Sequence, residues 1–146
     1  MKNLLFLTLL LASQSLFAQN GTTRGGFQID RIVLIALQED YPGARNIAWV
    51  KNKQNFEARF QHLQYDMKVI YSPDGLLLFE EFVVPNDRYE SLKAIWTHLA
   101  ETYPGYSLQG IYLCNAISKE YYRAEIRYRG QTLKLKFDTE SMKLQE

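Results

Sequence analysis

Two stretches of the chain repeat their apolar residues at helical spacing, and each is followed by runs in which apolar residues recur at every second position. Ile29, Ile32, Val33, Ala36 and Leu37 follow the first pattern. The spacing predicts a helix over 28–40, stopping ahead of Pro42 because proline disfavours helix in the residue before it. Leu92, Ile95, Trp96, Leu99 and Tyr103 form a second stripe, introduced by Pro85 and Asn86 and ended by Pro104-Gly105. The period-two runs after the first helix are Ile47 and Trp49, then Phe56, Ala58 and Phe60, then Met67, Val69 and Tyr71. After the second helix they are Ile111 and Leu113, then Tyr122, Ala124 and Ile126, then Leu133, Leu135 and Phe137. Each run reads as a strand with one buried face. Leu76 to Val84 reads as a fourth strand and Met142 to Gln145 as its shorter counterpart. The punctuation agrees: Asn52-Lys53-Gln54, Ser72-Pro73-Asp74-Gly75 and Arg129-Gly130 are turn-forming.

The tripeptide Tyr41-Pro42-Gly43 returns 62 positions later as Tyr103-Pro104-Gly105, each time at the change from helical to strand period. From Phe56 and Tyr122 through Tyr71 and Phe137 the offset is 66. A four-residue insertion in the loop region 115–119 accounts for that step. The expected fold class is therefore α+β: two tandem helix-plus-antiparallel-meander repeats, 27–84 and 85–146, within one domain. No helix separates consecutive strands, so crossovers for a parallel sheet are absent. Helices packed on one sheet face, with the other face open, satisfy both patterns.

The first 18 residues stand apart from this scheme. Lys2 precedes an apolar run from Leu4 to Leu11 broken only by Thr8, and Ser15-Leu16-Phe17-Ala18 ends on a small residue. That is the layout of a secretory signal peptide cleaved after Ala18, and the run falls short of the roughly 20 apolar residues of a membrane span. Gln19 stands where a lipid-anchored protein would carry cysteine. The polar, Gly-rich stretch 19–26 reads as a flexible lead-in. The expected location is periplasmic or secreted, with no stable membrane anchor after signal removal. Lys2 is the one basic residue of the first 18, and its loss brings 17 basic residues down to parity with 16 acidic ones. A neutral chain lacks the general attraction to nucleic acid or anionic lipid. Cys114 is the single cysteine, so the exported chain relies on its packed core rather than on an internal disulfide.

Candidate chemistry is sparse. His62 sits near a hairpin end and His98 lies on a helix with Thr102, not a ligand type, four residues on, whereas a zinc site needs three or four ligand groups. Cys114 lacks an adjacent base to make it a thiolate and reads as a small buried residue. Asp74-Gly75 is followed by three leucines rather than spaced oxygen ligands, so it is a turn and not a calcium loop. Arg24-Gly25-Gly26 has no strand before it, unlike a phosphate loop. Glu80 and Glu81, adjacent on a strand, point to opposite faces and cannot act as an acid–base pair. No catalytic, cofactor or metal residue is expected, and the chain is not read as an enzyme.

A surface remains. With Phe56, Ala58 and Phe60 inward, Glu57, Arg59 and Gln61 face outward; the same parity turns Tyr121, Arg123, Glu125 and Arg127 outward, joined by Lys134, Lys136 and Tyr112. Tyr and Arg dominate protein–protein hot spots. Arg59, Tyr112, Tyr121, Arg123, Arg127, Lys134 and Lys136 are therefore the candidate protein-binding residues, for an envelope or secreted protein partner. A second reading, motivated by aromatics such as Trp49, Trp96 and Phe60, is a small-ligand carrier with an apolar pocket between helix and sheet or between the two repeats.

Tyr41 to Ala44 followed by Trp49, the Asp-Gly turn, and a second helix introduced by Val84-Pro85 together resemble the PepSY-like, beta-lactamase-inhibitor-like proteins exported by Bacteroidetes-type bacteria. The resemblance spans 29–144. It implies two helix-plus-sheet units with their sheets side by side in a curved surface, which inhibitors of this fold use to hold a target enzyme. It implies no catalytic residues. The second unit departs from the first in having Ile111 for Trp49 and Glu140-Ser141 for the Asp-Gly turn.

Overall fold

A computed structural model describes residues 22–23, 26–85, 88 and 91–145. The expected signal peptide, its cleavage point and Gln19 lie outside the described residues. The elements run β1 (Thr22–Thr23), α1 (Arg31–Asp40), β2 (Arg45–Asn52), β3 (Asn55–His62), β4 (Tyr65–Tyr71), β5 (Leu77–Val83), α2 (Lys93–Thr102), β6 (Ser107–Ala116), β7 (Lys119–Tyr128) and β8 (Gln131–Asp138). The strands form one sheet in chain order, antiparallel throughout from β2 to β8. β1 pairs parallel with β2, Thr22 beside Ala48. Part of the expected lead-in is thus an edge strand, and α1 is the crossover that makes one parallel pairing possible.

Both helices start later than their apolar stripes imply. Asp30 is extended and offers no side-chain cap, so α1 opens at Arg31 rather than position 28. α2 opens at Lys93, after tighter helical turns at Arg88, Ser91 and Leu92, well beyond Pro85. Both end alike. Tyr41 N–H donates to Leu37 O and Tyr103 N–H to Leu99 O, each at 2.9 Å. Ala44 and Tyr106 then close back on Tyr41 and Tyr103, each at 3.1 Å. Gly43 and Gly105 take left-handed φ values of 85° and 80°, which glycine adopts without steric cost.

The core divides into two clusters on the helix side of the sheet. Val33, Leu37 and Tyr41 pack with Trp49, Phe56, Ala58, Phe60, Met67, Val69 and Tyr71. Leu92, Ile95 and Leu99 pack with Ile111, Ala124, Ile126 and Phe137. The strand register sets matching rows: Trp49, Ala58 and Val69 lie side by side in one, Ile111, Ala124 and Leu135 in the other.

The four extra residues of the second half do not lengthen a loop. The β2–β3 turn is Lys53–Gln54 and the β6–β7 turn is Ile117–Ser118, while β6 and β7 have 10 residues each against 8 in β2 and β3. The hairpin itself is longer, and the added rungs let Asn115 and Ala116 pair with Glu80 and Phe79, extending the β5–β6 join. Met142 to Gln145, expected as a strand, makes one bridge, Leu144 to Phe137, with Gln145 N–H donating to Lys136 O at 2.8 Å.

Candidate functional site

The face turned away from the helices is organised by one row of residues across seven strands: Ala48, Arg59, Lys68, Glu81, Cys114, Tyr121 and Asp138 are cross-strand neighbours in succession. The next row carries Val83, Tyr112, Arg123 and Lys136. Glu80, one residue from Glu81, points to the other side, where its carboxylate accepts a hydrogen bond from the Tyr41 hydroxyl at 2.9 Å. The two glutamates occupy opposite faces, as strand parity requires.

Glu81 is the centre of the outward face. Only 6% exposed, its Oε2 lies 2.5 Å from Arg123 Nη1 and 3.0 Å from Lys68 Nζ. Burial alone pushes the carboxyl pKa up, but hydrogen bonds and charge from Arg123 and Lys68 outweigh it and hold the group below the ordinary glutamate range. Arg123 Nη2 also reaches Glu125 Oε1 at 3.0 Å, and Lys134 meets the same oxygen at 3.3 Å. Cys114 is wholly buried beside Glu81, Sγ to Oε2 3.7 Å. Burial, then the charge on Glu81, pushes its thiol up to about 11, so it is a poor nucleophile at neutral pH.

Aromatic rings brace the cations. The Arg123 guanidinium lies 4.6 Å from the centre of the Tyr112 ring, Lys136 Nζ 5.0 Å from that of Tyr121, and Lys68 Nζ 5.1 Å from that of Phe79. Gly110 makes room for Tyr112: a Cβ there would stand 3.1 Å from the ring. Beside this cluster a groove of about 380 Å³ opens on the outward face, walled by Arg59, Lys68, Glu81 and Tyr112. Asn46 enters it from the irregular start of β2, where its φ of 56° is left-handed, and donates to Gln61 at 3.0 Å; Gln61 in turn donates to Asp66 at 3.3 Å. Asparagine tolerates that backbone region better than most residues.

The seven sequence-derived residues are therefore not equivalent. Tyr112 and Arg59 line the groove, with Arg59 held by Glu57 at 2.8 Å yet 66% exposed at its side chain. Arg123, at 13%, belongs to the buried charge cluster. Tyr121 and Lys136 pack on each other one strand further on, and Arg127 and Lys134 are exposed. Lys68, Glu81 and Asn46 join this site without being among the sequence-derived residues. Parity turns Lys68 to this face and puts Glu80 and Glu81 on opposite faces without saying which is outward. The meeting with Arg123 depends on β5 lying beside β6, a pairing between the two halves of the chain that no local pattern specifies.

The histidines have structural neighbours. His62 packs edge-on against Tyr41 at 5.6 Å, and His98 against Phe137 at 5.5 Å and Tyr103 at 6.3 Å. Among the described residues His62 Nδ1 and His98 Nε2, both buried, have no hydrogen-bond partner. Among the described residues no three His, Cys, Asp or Glu side chains gather as a metal site would require. Trp49 and Phe60, two of the aromatics behind the carrier reading, are 1% and 4% exposed within the first core cluster, and Trp96 packs against the second. Among the described residues no helix is long and apolar enough to cross a membrane.

No family model and no curated protein matches the sequence. Solved structures do match in shape. A candidate periplasmic protein from Bacteroides eggerthii aligns over 82% of this chain and 89% of its own, with a TM-score of 0.68 and 19% identity. A BLIP-like protein from Bacteroides fragilis aligns over 84% and 86%, with a TM-score of 0.67 and 18% identity. A DUF2874 family protein from Bacteroides uniformis aligns over 82% and 88%, with a TM-score of 0.67 and 17% identity. With two helices and a seven-strand antiparallel sheet beside a short parallel edge strand among its described residues, the chain has the fold of these BLIP-like and DUF2874 structures.

Proposed function

We propose that this chain is an exported, non-enzymatic binding module whose outward sheet face takes a protein partner, and that it restrains a peptidase or another envelope enzyme by covering it. The observation that carries the reading is the groove beside Tyr112, shaped by a buried Glu81 held between Lys68 and Arg123. Those fixed charges and braced rings form a surface that needs little ordering on binding, which lowers the cost of association. Arg59 and Tyr112 at the groove, with Tyr121, Arg127, Lys134 and Lys136 beyond it, are its proposed contact residues; Arg123 positions Tyr112. The apolar start of the sequence and the periplasmic description of a structural neighbour support export.

The domain is read as two tandem repeats. The support is the matched closure of α1 and α2 at Tyr41 and Tyr103, and the matched core rows around Ala58 and Ala124. Duplication followed by extension of the β6–β7 hairpin accounts for one continuous sheet.

The test is capture from an envelope extract of the source organism by the immobilised exported chain, repeated with Arg59→Ala/Tyr112→Ala and, as a control on the opposite side, Lys93→Ala/Thr97→Ala. Loss of the captured protein with the first pair alone supports the reading. Unchanged capture with the first pair, or loss only with the second, refutes it.

A further inference from the structure

Helix α1 carries an unspent apolar surface. Val33 and Leu37 face the core, and Ile35 stands on the opposite side of the helix, 41% exposed. Ile32 and Leu34 flank it at 52% and 37%, and Leu76, from the turn that packs on Ile32, adds another apolar side chain at 58%. Counting back from Tyr103 as from Tyr41, α2 has Ala94 and Thr97 where α1 has Ile32 and Ile35. The fold itself therefore asks for no isoleucine on the solvent side of a helix, and exposed apolar clusters of this kind mark interaction sites.

The charges around the patch choose the partner. Arg31 lies in the first turn of α1 and Glu39 in the last, the reverse of what the helix dipole favours. They stand four residues before and four after Ile35, one turn to either side. Read backwards, the face keeps its apolar centre and exchanges its charges. That is the self-complementarity a twofold interface requires. We propose that two copies of the chain associate through antiparallel α1 helices centred on Ile35, with Arg31 of each copy level with Glu39 of the other. α2 has the same end charges in Lys93 and Glu101, so the apolar centre is what distinguishes α1. The groove lies on the far side of the sheet, so the pair presents two free grooves, and a partner with two sites is held by avidity.

One helix face buries less than a standard interface, so the association is weak. Sedimentation velocity of the exported chain from about 0.01 to 1 mM is expected to show reversible monomer–dimer exchange. Ile35→Lys raises the dissociation constant about tenfold or more, with circular dichroism and melting temperature unchanged because the position is exposed. Arg31→Glu and Glu39→Arg each weaken the dimer, and the two together restore it. Ile35→Cys links to its own copy on oxidation, while the buried Cys114 does not. A chain monomeric at every concentration, a dimer indifferent to Ile35→Lys, or a charge exchange without recovery overturns the proposal.

Discussion

The guanidinium of Arg123 on β7 reaches across β6 to the Glu81 carboxylate on β5, 2.5 Å away. This contact joins strands that are not neighbours and ties the sheet of the first half to that of the second. Removing one partner of a buried ion pair leaves an uncompensated charge, which costs about 3–5 kcal/mol. Lys68 remains on Glu81, so Arg123→Ala is expected at the low end, about 3 kcal/mol by urea denaturation. The double variant Arg123→Ala/Lys68→Ala, which leaves the buried Glu81 carboxylate with neither cation, is expected to cost more than Arg123→Ala alone. A cost below about 1 kcal/mol, the range of an exposed pair, would show that the contact is solvated.

The same cluster gives the stability of the protein an acid limit. The folded-state pKa of Glu81 lies below the ordinary glutamate value of about 4.3, so its contribution is present above that value and is lost as the pH falls towards the folded pKa. Wild type and Glu81→Gln should therefore differ most near neutrality and draw together as the pH falls below the ordinary glutamate value of about 4.3 and through the folded one. Parallel stability curves over pH 3–7 would mean that Glu81 is not held as a carboxylate by its neighbours.

Two tyrosines set the alkaline limit. Tyr41 donates to Glu80 at 2.9 Å and Tyr71 to Asp40 at 2.7 Å, and both rings are buried. Burial first, then the accepting carboxylates, pushes both hydroxyls above the ordinary tyrosine range. A raised folded-state pKa contributes stability that is complete below about pH 10 and falls away as the pH rises further. In a titration followed by phenolate absorbance, at least two of the ten tyrosines should ionise only with unfolding. Tyr41→Phe and Tyr71→Phe are each expected to cost about 1–2 kcal/mol at pH 7, since a carboxylate loses a donor.

How far the sequence carries can be judged at particular residues. Period-two spacing puts Ala58, Ala124 and Phe137 in the core, and all three are fully buried. It also turns Arg123 and Tyr112 away from the helices, because parity along a strand is a local property. Parity does not say how exposed an outward residue is. Arg123 is largely enclosed because Glu81 and Tyr112 arrive from other strands, and that neighbourhood follows from sheet order. The hairpin of the second half shows the same limit: the offset change at 115–119 locates the four added residues, but only the pairing of Asn115 and Ala116 with β5 makes them strand rather than loop. The late start of α2 was hidden because Pro85 and Asn86 resemble a start signal, whereas the carbonyl of Pro85 closes a separate turn with Arg88.

The helix-to-strand junctions give the cleanest comparison between the two halves. Gly43 and Gly105 share φ values near 80°, and a Cβ built on either meets nothing within 4 Å. Alanine at either site therefore collides with no neighbour, and its cost is confined to the left-handed backbone, about 1–2 kcal/mol. The alanine variants at 43 and 105 should lower stability by nearly equal amounts, with cooperative unfolding preserved. The two losses should also add in the double variant, since the helices feed separate core clusters and distant sites are independent. A loss at one junction several times that at the other would mean that the matched geometry hides different local energetics, and would weaken the reading of the two Tyr-Pro-Gly segments as one device used twice.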